Sequence, residues 1–306
     1  MRGFITDPKA HGGLRLADDL PEPIAAADQT LVEVRAYSVN RGELFLIKAR
    51  PEGWRPGQDL AGVVTRAAAD GSGPAIGTRV VGLVDWECWA ERVAVSTRLT
   101  VPLPDEVAFE SAASLPIAGV TALRAIRQCE SLLGRRVLVT GATGGVGQFA
   151  VQLAVAAGAH VTALVSGPDR EEDAQKLGAH EVLTTLNRKP TGTFHAILDG
   201  VGGQTLTDSV HLLIPGGSAV TYGTIGGPAS LALLDFPPGS PCRLVPLYHA
   251  YPLETRGDDL ALLVSLVGSG RLRPLLGTVR DWRETFEVLD ALRNREVRGK
   301  AVLVRS

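Results

Sequence analysis

The chain has 306 residues but only three cysteines, Cys88, Cys129 and Cys242, which lie far apart in the sequence. An odd number of cysteines without a Cys-x-x-Cys pair argues against a disulfide framework and against a structural zinc lobe. We therefore expect three reduced cysteines that pack as small apolar side chains.

An excess of charge and long apolar runs are also missing. The formal net charge is -2 and no basic stripe is present, which argues against nucleic acid or an anionic membrane as the main partner. No apolar run approaches the roughly 20 residues of a membrane span, and Met1-Arg2-Gly3 leads into strand-like sequence without a signal-peptide core. We expect a cytoplasmic protein that acts on a small-molecule substrate.

The chain is rich in glycine, with 35 residues, and its 45% of hydrophobic residues is typical of a globular protein long enough for two domains. Up to about residue 115 it consists of short β segments between Gly and Pro, with few helices. Strand and helix patterns then alternate, which predicts a parallel sheet with right-handed crossovers. The Pro- and Gly-rich segment 227–252 is predicted to cross between domains. The predicted strands are 30–37, 61–67, 79–84, 90–95, 136–140, 161–165, 181–184, 196–198, 218–222 and 300–305, and the predicted helices are 109–113, 119–128, 146–157, 170–177, 205–213, 258–267 and 282–292.

One stretch joins an apolar strand, residues 137–140, to an amphipathic helix through four glycines. Gly144 would let the backbone approach a pyrophosphate, and Gly147 would let the helix pack closely on the strand. The pyrophosphate would lie on the free N–H groups of the helix N-terminus. Ala142 occupies the first position of the Gly-x-Gly-x-x-Gly fingerprint, so the match is partial. The predicted cofactor contacts of this glycine loop are Ala142, Thr143, Gly144, Gly145 and Val146.

A second motif fits the same glycines, because Thr140-Gly141 followed by Gly145 and Gly147 is also the opening of short-chain dehydrogenases. Those enzymes need a catalytic Tyr-x-x-x-Lys, and none of the four tyrosines of this chain has lysine four residues later. That family also opens its chain with the motif, whereas here more than 130 residues precede it. We therefore reject this alternative.

The end of the second predicted strand of the parallel sheet indicates the cofactor. NAD enzymes usually place Asp or Glu there, about 20 residues beyond the glycines, where the carboxylate binds the ribose 2′-hydroxyl. Here the strand ends at Ser166-Gly167, and Arg170 is close enough in sequence to pair with a 2′-phosphate. This pattern favours NADPH. The alternative is that Arg170 is a solvated helix residue and that Asp169 is the acid.

Motifs spread over the full length of the chain carry a family resemblance. They are Val-Arg-Ala-Tyr-Ser-Val-Asn (34–40), Pro-Gly-Gln-Asp-Leu-Ala-Gly-Val-Val (56–64), Gly-Thr-Arg-Val-Val-Gly (77–82), Leu-Pro-Ile-Ala-Gly-Val-Thr-Ala (115–122), the glycine loop, Asp-Gly-Val-Gly-Gly (199–203) and Arg-Gly-Lys-Ala-Val-Leu-Val (298–304). With them the chain resembles the medium-chain dehydrogenase/reductase superfamily, in its zinc-free quinone oxidoreductase and enoyl reductase branch.

The resemblance implies a fold of the α/β plus β class. A GroES-like β domain, residues 1–118, would be followed by an inserted Rossmann domain with a doubly wound parallel sheet, residues 119–250. Residues 251–306 would return to the first domain. The active site would lie in the cleft between the domains, and a homodimer is expected.

The same resemblance assigns residues to the cofactor. Asn40 would lie near the nicotinamide ribose, Thr121 near the nicotinamide, and Val201 at the mouth of its strand. Tyr222-Gly223-Thr224 would border the cofactor, although Tyr222 is equally well explained as a core aromatic. Residues 298–300 would reach the adenosine side of the cofactor or only close the β domain.

The same motifs show whether the chain has the zinc ligands of zinc-dependent relatives. In zinc-dependent relatives a Cys follows the early strand and a Gly-His-Glu motif supplies a His, whereas this chain reads Ser38-Val39-Asn40-Arg41 and Gly57-Gln58-Asp59. Arg41 and Gln58 cannot replace thiolate and imidazole as zinc ligands. The six histidines show no metal-ligand spacing, and His249 is a candidate only for substrate contact. We expect no metal site.

Without zinc or Tyr-x-x-x-Lys, the site has poor means of polarising an ordinary ketone. The expected reaction is hydride transfer from NADPH to a quinone or an activated alkene, with the resulting anion held by hydrogen bonds. The alternatives are a tailoring reductase of a specialised metabolite and a nucleotide-binding protein without catalytic activity.

Asn40 and Arg41 are the candidate catalytic residues. In several enoyl reductases a Tyr at the position of Arg41 is proposed to donate the proton, which a guanidinium cannot do near neutral pH. Arg41 would orient an anionic or carbonyl-bearing substrate, or pair with Glu43. Glu43 would relay protons or be a solvated carboxylate.

Overall fold

The computed structural model describes residues 1–186, 192–248 and 254–305. The chain folds into two compact units, Met1–Val120 with Pro252–Ser306 and Thr121–Tyr251. His249, the candidate for substrate contact, lies outside the described residues. In the described ranges no helix is long and apolar enough to cross a membrane.

The strands and helices of these ranges are numbered in chain order. The strands are β1 Gly3–Thr6, β2 Leu14–Ala17, β3 Gln29–Val39, β4 Asp59–Arg66, β5 Arg79–Leu83, β6 Arg92–Ser96, β7 Thr100–Pro102, β8 Arg136–Thr140, β9 His160–Leu164, β10 Glu181–Leu183, β11 Phe194–Asp199, β12 Leu213–Thr221, β13 Arg243–Pro246, β14 Leu276–Asp281 and β15 Lys300–Val304. The α-helices are α1 Arg41–Ala49, α2 Phe109–Ala113, α3 Pro116–Gln128, α4 Gly147–Ala156, α5 Glu171–Lys176, α6 Gly203–Val210, α7 Arg256–Gly268 and α8 Thr285–Arg293.

The first unit is built on a seven-stranded sheet with β3 at its centre. The strand order is β14-β15-β3-β4-β5-β7, and β6 also pairs with β3. Along β3, Thr30, Val32, Val34 and Ala36 are buried while the residues between them are half-buried. This period of two is the pattern of a strand with one face on a core, and Val32 and Val34 belong to a hydrophobic cluster of buried side chains.

Helix α1 was not predicted from the sequence, although the first 115 residues contain few helices as expected. Leu44 and Ile47 are buried on one face, whereas Phe45 and Lys48 are exposed. The helix begins after Asn40, whose backbone N–H donates to Glu43 Oε2 at 2.7 Å. This Asn-x-x-Glu spacing is a capping-box signal, and it was present in the sequence.

The second unit is a parallel sheet with the strand order β10-β9-β8-β11-β12-β13. Numbered from β8, this order is 3-2-1-4-5-6, that of the doubly wound Rossmann fold. The expectation of a Rossmann domain beside a β domain is confirmed. Chain order reverses between β8 and β11, and ligands of open α/β sheets bind at such a switch point.

Two predicted segments of this unit were wrong. The segment 227–252, predicted to cross between domains, contains β13, which pairs parallel with β12 and completes the sheet. Its strand escaped detection because it is short, follows Pro and Gly, and has mainly exposed side chains. The helix predicted over 205–213 ends earlier, at Val210, because Leu213 pairs with Phe194 and begins β12.

Candidate cofactor cradle and active-site cluster

The switch point of the parallel sheet is organised by the buried carboxylate of Asp199, the last residue of β11. Asp199 Oδ1 accepts a hydrogen bond from Thr140 Oγ1, the last residue of the neighbouring strand β8, at 2.6 Å. Asp199 Oδ2 accepts from Thr221 Oγ1 at 3.1 Å and from the Gly202 N–H at 3.0 Å. The ends of β8, β11 and β12 are therefore held together by hydrogen bonds to one carboxylate. Asp199 belongs to a motif of the family resemblance, but the sequence alone indicated no role for it.

The glycine loop leaves β8 at the same edge of the sheet. The Ala142 N–H donates to the Leu164 carbonyl at 3.1 Å, which ties the loop to the end of β9. A Cβ added to Gly147 would lie 2.1 Å from the Gly141 carbonyl oxygen, so the start of α4 approaches the strand as closely as predicted. Ala142 and Thr143 are 0% and 2% exposed, whereas Gly144, Gly145 and Val146 are half-buried. The loop therefore fits a cradle that binds phosphate through its backbone.

Val201 lies against the start of this loop, and the segment Tyr222-Gly223-Thr224 lies against the chain that follows β11. A Cβ on Gly141 would lie 3.2 Å from Val201 Cγ2, and a Cβ on Gly223 would lie 2.0 Å from the Gly200 carbonyl oxygen. Tyr222 donates its hydroxyl to the Leu198 carbonyl at 3.5 Å, and burial raises its pKa. The structure thus brings four predicted residues to the carboxyl edge of the sheet.

Ser166 and Arg170 follow β9 at this edge. Ser166 is exposed and Arg170 half-buried, at the end of a short 3₁₀ turn, Pro168–Arg170. The Arg170 N–H donates to the Gly167 carbonyl at 3.1 Å, which folds the chain back directly after the strand. No carboxylate ends β9 itself, and Asp169 lies in the turn with its Oδ1 2.8 Å from a Cβ built on Gly167.

The first unit contains a compact polar cluster at the predicted residue Asn40. Asn40 Nδ2 donates to Asp59 Oδ2 at 2.8 Å, and Lys300 Nζ donates to Asn40 Oδ1 at 2.6 Å. Lys300 Nζ also lies 3.4 Å from Asp59 Oδ2. Asp59 is 0% and Lys300 2% exposed, so this ion pair is buried. Lys300 therefore stabilises the interior of the β domain. This is the second of the two roles considered for residues 298–300.

Asp59 receives two further hydrogen bonds. Ser38 Oγ donates to its Oδ2 at 2.7 Å, and the Ile117 N–H, in the first turn of α3, donates to its Oδ1 at 3.0 Å. Asp59 and Lys300 were not recognised from the sequence as members of one site because they lie 241 residues apart. The available signal was the presence of two charged residues inside otherwise apolar strand motifs.

Glu43 is buried, at 1% exposure, so its interpretation as a solvated carboxylate was wrong. Burial and the nearby Asp59 carboxylate raise the pKa of Glu43 to about 8. Its Oε2 accepts from the Asn40 N–H, while its buried Oε1 has no hydrogen-bond partner. A neutral carboxyl group at this place avoids a second buried negative charge beside Asp59.

Arg41 and Thr121 are the other two predicted residues. Arg41 is exposed, and its Nη1 donates to the Leu292 carbonyl at 3.1 Å. Thr121 is 5% exposed and lies in α3. Among the residues that the structure describes, no group of three or more His, Cys, Asp or Glu side chains could hold a metal ion.

Known proteins share this architecture. A family described as zinc-binding dehydrogenase matches residues 145–241. The mouse mitochondrial NAD(P)H oxidoreductase RTN4IP1 is 32% identical over 81% of this chain and 69% of its own length. The quinone oxidoreductase structure from Coxiella burnetii matches with a TM-score of 0.84 and 26% identity over 100% of this chain and 99% of that chain. The chain belongs to the medium-chain dehydrogenase/reductase superfamily, in its quinone oxidoreductase-like branch.

A third relative is much larger. The spectinabilin polyketide synthase system protein NorB of Streptomyces orinoci is 33% identical over 89% of this chain. The chain spans only 13% of the length of NorB.

Glu43 makes a testable contribution to pH dependence. Its pKa is higher in the folded protein than in the unfolded chain, so its contribution to stability is present below about pH 4.5 and is lost as pH rises through about 8. We expect Glu43→Gln to remove this loss, which amounts to at most about 1.4 kcal/mol per pH unit within the window. Thermal unfolding of both proteins between pH 5 and 9 measures the difference.

The exposed Glu52, replaced by Gln, is the control for removing one carboxylate from the same unit. Parallel pH profiles of wild type and Glu43→Gln would contradict the elevated pKa.

Proposed function

We propose that this chain is an NADPH-dependent reductase that transfers hydride to a quinone or to an activated C=C bond without zinc. The observation that carries the proposal is the polar cluster of the first unit. At the positions where the zinc-dependent relatives place a Cys and a His, the chain has no such ligand. The neighbouring Asn40 and Asp59 are instead joined by the buried ammonium of Lys300, which is 3.4 Å from Asp59. A cation that already neutralises Asp59 disfavours a second cation there.

Residues of each unit have separate roles in the proposed reaction. The backbone of the glycine loop binds the pyrophosphate, and the reduced nicotinamide, when bound, supplies the hydride. Asn40 contributes an amide near the nicotinamide ribose, and Thr121 lies near the nicotinamide. Arg41, an exposed guanidinium, orients the carbonyl of the acceptor, because it can donate hydrogen bonds but cannot supply a proton near neutral pH.

The second candidate is a tailoring enoyl reductase of a specialised metabolite. The similarity to the polyketide synthase system protein NorB favours it. The chemistry is the same for both candidates, since an enoyl thioester and a quinone each accept hydride at a carbon conjugated to a carbonyl. They differ in the acceptor that is reduced fastest.

A panel of acceptors tests the activity. The purified chain is mixed with NADPH and a quinone, an enone or an enoyl thioester, and loss of NADPH absorbance is recorded. We expect turnover of at least one acceptor, an unchanged rate after treatment with a zinc chelator, and a rate about ten-fold lower for Arg41→Ala. Tight NADPH binding without oxidation by any acceptor would instead favour a nucleotide-binding protein without catalytic activity.

Cofactor choice is tested separately, by the dissociation constants of NADPH and NADH. We expect NADPH to bind more tightly, because Arg170 and Ser166 replace the acid that would repel a 2′-phosphate. Ser166→Asp should weaken NADPH binding about ten-fold or more and leave NADH binding nearly unchanged. The matched control is Gln175→Glu, which adds the same charge at an exposed position of the same unit away from the loop. Tighter binding of NADH to the wild type would defeat this prediction.

We expect a homodimer formed through β13. This strand ends the parallel sheet, so one of its edges has no strand partner among the described residues. Four large apolar side chains in or near this strand in the sequence are exposed, Leu233, Leu234, Leu244 and Tyr248. Antiparallel pairing of two β13 edges across a two-fold axis would cover them. Light scattering should give twice the mass of one chain. Leu244→Pro should give monomers that still bind NADPH, because the N–H groups of Val245 and Leu247 face β12 and that of Leu244 faces the free edge. A monomeric wild type would contradict the proposal.

The cytoplasm is the compartment that we expect for this chain. Cys88, Cys129 and Cys242 are all free, which is consistent with a reducing environment. The mouse relative, by contrast, is named as mitochondrial.

A further inference from the structure

Asn40 is held by two buried residues with opposite hydrogen-bonding capacities. An ammonium can only donate, so the Asn40 atom 2.6 Å from Lys300 Nζ is the carbonyl oxygen. A carboxylate can only accept, so the atom 2.8 Å from Asp59 Oδ2 is the amide nitrogen. The two contacts together permit a single orientation of the Asn40 amide.

Lys300 itself has no N–H left for a ligand. Its three donors are directed to the Val39 carbonyl at 3.2 Å, to Asn40 Oδ1 and to Asp59 Oδ2. Asn40, by contrast, is half-buried and carries a second hydrogen on Nδ2 besides the one bonded to Asp59. Asn40 is therefore the member of the cluster that a ligand can reach, and it offers that ligand a donor.

We propose that Lys300 and Asp59 are positioning residues that act through Asn40, so that its second Nδ2–H donates to the substrate oxygen that becomes anionic during reduction. The inference rests on the proposed hydride transfer. The carbonyl oxygen of a quinone or enone only accepts hydrogen bonds. An amide with the opposite orientation would present its own oxygen and repel this atom.

The electron movement shows why a fixed donor matters. The hydride brings its electron pair to the β-carbon of an enone, where a new C–H bond forms. The electrons of the C=C bond shift toward the carbonyl carbon, and the carbonyl π pair moves to the oxygen, which becomes an enolate oxygen. NADPH is oxidised to NADP⁺, and water supplies the proton in a later step. A donor that is already oriented stabilises this oxygen without reorganisation.

The decisive variant removes both charges at once. Lys300→Met or Asp59→Asn alone leaves an unpaired buried charge and risks unfolding, whereas the double variant K300M/D59N is neutral and close to isosteric. In the double variant position 59 carries an amide and position 300 no donor, so neither of the two contacts that fix the Asn40 amide remains. We expect its unfolding temperature to stay near that of the wild type, while kcat/KM for the acceptor falls about ten-fold or more. The NADPH dissociation constant should change by less than about three-fold.

A coupling test separates positioning from a general structural role. Asn40→Ala should lower kcat/KM about as much as K300M/D59N, and the triple variant should lose no more than either. The double variant K9M/D18N is the matched control, because it removes one exposed charge of each sign from the same unit. Independent, multiplicative losses in the triple variant would overturn the proposal, as would wild-type kcat/KM in K300M/D59N.

A second readout needs no turnover. The chain has three asparagines, Asn40, Asn187 and Asn294, so a wild type labelled with ¹⁵N in the asparagine side chains gives three NH₂ signals. K300M/D59N gives a fourth, from position 59, and Asn40→Ala in each background assigns the Asn40 signal. We expect the two Asn40 hydrogens to differ strongly in chemical shift in the wild type and to become similar in K300M/D59N. An unchanged difference in the double variant would refute the positioning, whereas a wild type that reduces no acceptor would refute the proposed function.

Discussion

The structure of the first unit depends on the buried ion pair of Lys300 and Asp59. Lys300 is the first residue of β15 and Asp59 the first of β4, and between them lies Asn40, where β3 ends and α1 begins. The Ile117 N–H adds α3 to the same carboxylate. Because a buried charge that loses its partner is strongly destabilising, these five elements cannot move independently at this point. The ion pair of Lys300 and Asp59 thereby fixes the positions of Asn40 and Glu43.

The second unit also stabilises a buried carboxylate, but without a cation. Asp199 is fully buried, and hydroxyl and backbone donors from three strand ends satisfy it. The glycine loop and the segment after β12 are placed on either side of it. Each unit therefore positions its candidate functional residues around one buried carboxylate, and in each case that carboxylate is satisfied by residues close to the site rather than by solvent.

Much of the fold could be predicted because its signals are local. The alternation of β3, the switch from β8 through the glycines to α4, and the missing acid after β9 are all contiguous patterns. Where such patterns were weak, prediction was wrong or incomplete. Residues 243–246 are too short and exposed to be recognised as a strand until they pair with β12. Helix α1 was missed because its nine residues carry little local signal beyond the capping box.

The sequence by itself determined the class of fold, the glycine loop between β8 and α4, the missing acid after β9 and the absence of a Cys and His at the zinc positions. These follow from residue types in short segments. Only the tertiary structure decided the environment of Glu43, which is buried and has a raised pKa, and the role of Lys300. Two residues that are 241 positions apart form an ion pair beside Asn40. No local pattern specifies their burial, and it is the buried pair that orients the Asn40 amide.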